Sequence, residues 1–142
     1  MPRKKTILII EDELSQLKVL RHEFEDQGFD VLFAHNGQDG IVLALSRHPD
    51  IILLDIVMPA MDGETLLSVL RRDRPWGKDV PVVILTNVIP DENKMKTIRK
   101  HGVKHYLVKS GWPLEAVVDC VKRELVSHGR AKTIFDDLDH IA

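Results

Sequence analysis

The chain predicts an α/β fold: a doubly wound sheet of five parallel strands with helices on both faces. Three observations carry this. Short apolar runs alternate five times with segments of helical spacing. The run Ile51-Ile52-Leu53-Leu54 is apolar throughout and is cut off by Asp55, then by Pro59, Asp62 and Gly63. It is too short for a helix and reads as a strand buried on both faces. Strands one, three, four and five also end directly in acids, Thr or Lys.

Thr6 to Ile10 is the first strand and runs into Glu11, Asp12 and Glu13. Leu14 to Gln27 follows as a helix, with Leu14, Leu17, Leu20, Arg21 and Phe24 on one face and Gly28 as its stop. Val31 to Ala34 is a short second strand. Asn36-Gly37 turns the chain into a second helix, marked by Ile41, Ala44 and Leu45, which Pro49 ends. After the central strand, Leu66, Leu67, Val69 and Leu70 mark a third helix that Pro75 stops, and Trp76 to Asp79 is a loop. Val80 to Leu85 is the fourth strand, ending at Thr86, with Pro81 at its start, where a missing N–H is tolerated. Pro90 to His101 is a more polar helix with Gly102 as its stop. His105 to Val108 is the fifth strand, ending at Lys109. Pro113 occupies the first turn of a last helix whose inner face is Leu114, Val117, Val118, Val121 and Leu125. Residues 1–127 form one domain, and 128–142 are a frayed tail, a short helix or the root of a linker.

Composition narrows the function classes. A hydrophobic share of 44% and a charged share of 30% suit a globular domain. The net charge of −2 implies no broad basic surface, so direct nucleic-acid binding is not expected. No apolar run approaches the roughly 20 residues that span a bilayer, so no membrane partner is expected. The basic start, Met1 to Lys5, is followed by too short an apolar stretch for a signal peptide, which places the protein in the cytoplasm. Cys120, the single cysteine, falls on an apolar stripe and reads as a buried structural thiol. The seven histidines share no ligand spacing.

A carboxylate at the carboxyl end of a buried parallel strand sits where open α/β sheets bind ligands, although Asp55 taken alone also fits a simple turn start. The other strand ends decide more. In a parallel sheet Glu11, Asp12, Asp55, Thr86 and Lys109 all lie along one edge and can meet. Two carboxylates about 4 Å apart repel by roughly 4 kcal/mol at an effective dielectric near 20. Three acids against Lys109 leave two uncompensated negative charges, which a divalent cation would balance. Hard oxygen ligands beside a phosphate point to Mg²⁺. If Asp55 took a phosphoryl group, its charge would be replaced by a near-dianion and the site would stay close to balanced. Lys109 would pair with phosphate oxygens as a point charge, and the Thr86 hydroxyl would donate to them. A carboxylate needs no separate general base to act as nucleophile.

This constellation resembles the response-regulator receiver domain of two-component signalling. Glu11-Asp12 is similar to the family's acid pair. Asp55 is similar to its phospho-acceptor and is followed by the familiar Met58-Pro59-Ala60-Met61-Asp62-Gly63. Thr86 matches the switch hydroxyl, and Tyr106-Leu107-Val108-Lys109 matches the switch aromatic and the phosphate-binding lysine. The resemblance covers roughly residues 5 to 127 and implies the flavodoxin-like strand order 2-1-3-4-5, as in the chemotaxis receiver, with five helices. It implies Mg²⁺ held by Asp12, Asp55 and the backbone carbonyl of Val57, with Glu11 acting through water. It implies a partner, a sensor histidine kinase or a histidine phosphotransfer protein, whose phosphohistidine gives its phosphoryl group to Asp55. The surface of Pro90–His101, His105–Lys109 and Pro113–Val126 would then change shape to engage an output protein or a second copy. Such a module catalyses only its own phosphotransfer and dephosphorylation and is not a turnover enzyme.

Three residues depart from the family pattern. Ser110 stands where proline usually follows the lysine, Asn87 where a small residue usually follows the switch hydroxyl, and Trp112 where a polar cap often precedes the last helix. Two other readings compete. A haloacid-dehalogenase-like Mg²⁺-dependent phosphatase also uses an Asp after a strand, but it needs a second Asp two residues on, where Val57 stands. A degenerate receiver serving only as a binding scaffold would not need the complete set Asp12, Asp55, Thr86 and Lys109.

Overall fold

Among the described residues ten elements alternate, with a single 3-10 turn inserted near the end. They are β1 (Thr6–Ile10), α1 (Leu14–Asp26), β2 (Asp30–Ala34), α2 (Gly37–Arg47), β3 (Ile51–Leu54), α3 (Gly63–Arg72), β4 (Val82–Thr86), α4 (Glu92–Lys100), β5 (His105–Val108) and α5 (Leu114–Ile141). The turn, Lys109–Gly111, joins β5 to α5. The computed structural model describes residues 3–141, with side chains through His128; residues 128–141, expected as a frayed tail, a short helix or the root of a linker, continue α5 without a break to Ile141.

The five strands form one parallel sheet in the order β2-β1-β3-β4-β5. Register places Ile10 beside Leu54, Leu54 beside Ile84 and Ile84 beside Tyr106, so the carboxyl ends of β1, β3, β4 and β5 lie along one edge. Every residue of β3 is buried, because helices cover both faces of the sheet. Alternate side chains feed two cores. Leu8, Ile10, Ile52, Leu54 and Ile84 pack with Leu66, Leu67 and Leu70 of α3 and Ile98 of α4. Ile7, Ile9, Leu53, Val83, Leu85 and Leu107 pack with Leu17, Phe24, Val117 and Val121 of α1 and α5. Each such side chain contributes about 1.5–3 kcal/mol through burial.

Helices α2, α3 and α4 start behind side-chain caps. Asn36, Asp62 and Asp91 accept hydrogen bonds from the backbone N–H groups of Asp39, Thr65 and Lys94 at 2.7, 2.8 and 2.8 Å. Asn36-Gly37 therefore opens α2 directly, and α4 begins at Glu92 behind its Asp91 cap, not at Pro90. Strand β4 starts at Val82, two residues later than the apolar run suggests, since Pro81 has no N–H; its carbonyl still accepts from Ile52 at 3.0 Å. Helix α2 ends at His48 in the left-handed region (φ 48°), one residue before Pro49. Leu14 and Leu45, expected on inner faces, are exposed at 59% and 38%. Leu14 is the first residue of its helix, and Arg21, placed on the same face, lies over the Phe33 ring at 4.4 Å near the sheet edge. Cys120 is buried and unpaired, as expected. No described helix is long and apolar enough to cross a membrane.

Candidate functional site

Four of the five strand ends deliver the site. β1 delivers Glu11 and Asp12, β3 delivers Asp55, β4 ends in Thr86 and β5 leads into Lys109. Glu11 is 2% exposed, Asp55 8% and Thr86 0%, whereas Asp12 is exposed at the mouth. One carboxylate oxygen from each of Glu11, Asp12 and Asp55 lies within 4.8 Å of the other two. The Lys109 ammonium donates to Glu11 Oε1 at 2.5 Å and to Asp55 Oδ2 at 3.2 Å. The other Asp55 oxygen, Oδ1, accepts from the Val57 N–H at 3.0 Å, so the carboxylate is held from both sides.

Turn geometry after β3 supports this placement. The Gly63 N–H donates to the Ile56 carbonyl at 2.9 Å. A Cβ on Gly63 would stand 2.6 Å from Ile56 Cα, so only glycine lets α3 start against the loop. Ala60, in the same loop, is held at φ 69°, a left-handed conformation uncommon outside glycine.

The electrostatics are those of a partly desolvated cluster. Burial pushes Glu11 up to about 7 against the hydrogen bond from Lys109, and the charge on Asp55 adds to the rise. Burial works to lower Lys109, but its hydrogen bond to Glu11 and the charges of Asp55 and Glu11 outweigh this and keep it above its ordinary value. Lys109 therefore stays charged.

A second set of contacts leads away from the acids. The Thr86 hydroxyl oxygen accepts from the Val88 N–H at 3.5 Å, and the Tyr106 hydroxyl donates to the Val88 carbonyl at 2.7 Å. Tyr106 is half-buried against the core side of α3 and α4. Burial, then the charges of Asp55 and Glu64, raise its hydroxyl above the ordinary tyrosine value. Val88 thus links Thr86 to Tyr106, through its N–H on one side and its carbonyl on the other, a role that backbone groups leave no trace of in sequence. Gln16 was also not singled out by sequence: its Oε1 accepts from Lys109. Among the departures, Lys109–Ser110 is a trans peptide, and Asn87 is exposed on the wall of a groove of about 510 Å³ between α1 and α5. Trp112 lines the same groove.

Comparison with known proteins settles the family. A model of the response regulator receiver domain matches residues 7–120. This chain belongs to that family. The receiver is 35% identical over 103 residues to the protein PilH of Pseudomonas aeruginosa, covering 72% of this chain and 84% of PilH. It is 33% identical over 125 residues to a probable transcriptional regulator, ycf27, of Galdieria sulphuraria, covering 87% of this chain and 47% of that protein. The chain thus spans about half the length of several curated relatives it matches, ycf27 among them. Among solved structures, the receiver domain of a signal transduction histidine kinase from Syntrophus aciditrophicus superposes with a TM-score of 0.75 at 27% identity, covering 87% of this chain and 91% of that one. A CheY-like receiver from Methanospirillum hungatei, at 21% identity and a TM-score of 0.82, covers 91% of this chain and 99% of its own and shares the fold. The receiver is therefore a two-component signalling domain, with an acidic cluster of Glu11, Asp12 and Asp55 at its strand ends.

Proposed function

We propose that this receiver accepts a phosphoryl group on Asp55 from a phosphohistidine of a sensor histidine kinase or histidine phosphotransfer protein. The observation that carries the reading is the Lys109 ammonium, set between Glu11 and Asp55 inside a cluster of three carboxylates. An Asp55 oxygen attacks phosphorus, an O–P bond forms, and the P–N bond breaks with its electron pair going to the imidazole. Asp55 needs no base, and Lys109 provides a fixed positive charge beside the transferring group.

The donor set fits Mg²⁺. Three carboxylates gathered within 4.8 Å offer hard oxygen donors; Asp12 and Asp55 would hold the ion directly, joined by the Val57 carbonyl, with Glu11 reaching it through water. Glu11 is already engaged by Lys109 at 2.5 Å, which favours the indirect role. When bound, the ion supplies positive charge to the phosphoryl oxygens.

In this reading the Thr86 hydroxyl, whose oxygen accepts from the Val88 N–H, donates its hydrogen to a phosphoryl oxygen. Any shift of Thr86 acts on the Val88 backbone through its N–H and so on the Tyr106 hydroxyl held by its carbonyl, which carries the change to the surface of α4, β5 and α5. That surface is the proposed contact for an output protein or a second copy.

The test is incubation with Mg²⁺ and acetyl phosphate. The parent is expected to gain one acid-stable, base-labile phosphoryl group, and Asp55→Asn none. Equal labelling of the variant would overturn the assignment, and sustained phosphate release from small esters would favour a phosphatase.

A further inference from the structure

We propose that Gln16 is a positioning residue for Lys109, anchoring the ammonium on the α1 side so that its remaining N–H is free to pass from Asp55 to a phosphoryl oxygen. The proposal rests on Asp55 being the phospho-acceptor. Lysine offers three N–H donors, and here they meet three acceptors: Glu11 Oε1, Gln16 Oε1 and Asp55 Oδ2. The contacts are unequal. Glu11, at 2.5 Å, and Gln16 are close, whereas Asp55 is the longest at 3.2 Å. Two anchors and one loose bond are what the transfer requires. The donor facing Asp55 can move to a new oxygen while the other two keep the ammonium in place.

The amide of Gln16 is itself oriented. Its Nε2 donates to Glu13 Oε2 at 2.7 Å, which leaves Oε1 facing Lys109. Turning the amide over would set an NH₂ group against an ammonium and a carbonyl against a carboxylate. Glu13 and Gln16 are three residues apart at the start of α1, on one helix face. A neutral acceptor also suits this place. Glu11, Asp12 and Asp55 already crowd the site, and Gln16 adds an oxygen without a fourth negative charge. Beyond Gln16 the groove between α1 and α5 opens beside Lys109, so losing the amide admits water to the ammonium.

The test is Gln16→Leu in the full chain, with Gln16→Met as a second apolar replacement should leucine disturb α1. The first readout is phosphorylation by acetyl phosphate at saturating Mg²⁺. The maximal rate is expected to fall about fivefold with the half-saturating donor concentration unchanged, the ratio corresponding to one hydrogen bond of ~1 kcal/mol. The second readout is independent of phosphorylation: the Lys109 ammonium resonance in a ¹H–¹⁵N correlation spectrum. It is expected to be visible in the parent, where three acceptors slow exchange, and to be lost in the variant. Retention of the ammonium signal in both variants overturns the proposal, whatever the rate does. A lost signal with an unchanged rate overturns it as well. A parent that takes no phosphoryl group refutes the phospho-acceptor reading alone, since the resonance still reports on Gln16.

Discussion

Replacing Asp55 with Asn should make the metal-free protein more stable. Asp55 faces one carboxylate oxygen each of Glu11 and Asp12 within 4.8 Å. At an effective dielectric near 20, each such repulsion is about 3.5 kcal/mol. Against them stands the attraction of Lys109 at 3.2 Å, about 5 kcal/mol on the same scale. The repulsions win by about 2 kcal/mol. Partial protonation of Glu11, raised to about 7, brings the expected gain to about 1–2 kcal/mol at neutral pH. Asn keeps the Oδ1 acceptor for the Val57 N–H, so the turn is not disturbed. The assay is urea denaturation of both proteins in EDTA and again in Mg²⁺. In EDTA the variant's midpoint should be higher with the same slope. In Mg²⁺ the parent gains binding energy, about 2.7 kcal/mol at a hundred times the dissociation constant, and the gap should close or reverse. A variant no more stable than the parent in EDTA would refute the account of the acid cluster.

Thr86→Ala should still be phosphorylated but should lose much of the phosphorylation-dependent gain in dimerisation or partner binding, measured by analytical ultracentrifugation or titration with the partner. A full switch from 1:99 to 99:1 needs about 5.5 kcal/mol and one charge-assisted hydrogen bond gives roughly 1.5–3, so the loss is partial; an unchanged response would remove Thr86 from the relay. The raised Glu11 carboxyl means that the folded state binds more protons than the unfolded one between about 4.5 and 7. Stability in EDTA should therefore fall as pH rises across that window, and Glu11→Gln should flatten the slope; a slope unaffected by the substitution would contradict the assignment. Glu124 is 5% exposed and meets His105 Nε2 at 2.9 Å, so His105→Ala should cost roughly 1–3 kcal/mol in urea unfolding, whereas no loss would mean the carboxylate has other support.

Much of this architecture is legible in the sequence because the sheet is parallel. β1, β3 and β5 read as apolar runs whose ends are set by the residues that follow: Glu11, Asp55 and Lys109. The same strand ends identify the site, since a parallel sheet gathers them on one edge. Helix boundaries were less legible. Leu14 fits the helical period but lies at the first position of α1, where no neighbouring element covers it, and Leu45 lies toward the solvent side of α2. Gln16 was not legible at all. Its partner Lys109 is 93 residues away, and glutamine early in a helix is ordinary until the fold brings Lys109, just past the end of β5, to the start of α1. The link from Thr86 to Tyr106 was hidden for another reason: it runs through the backbone of Val88.

The central claim is a covalent bond to one oxygen of Asp55. The most direct measurement is tandem mass spectrometry of the chain after phosphorylation with Mg²⁺ and acetyl phosphate, with the acyl phosphate trapped by borohydride reduction before digestion. The account predicts the mark on Asp55 and on no other carboxylate, with none when EDTA replaces Mg²⁺. A mark on Asp12 or Glu11, on a histidine or hydroxyl side chain, or one that forms equally well in EDTA, would contradict it.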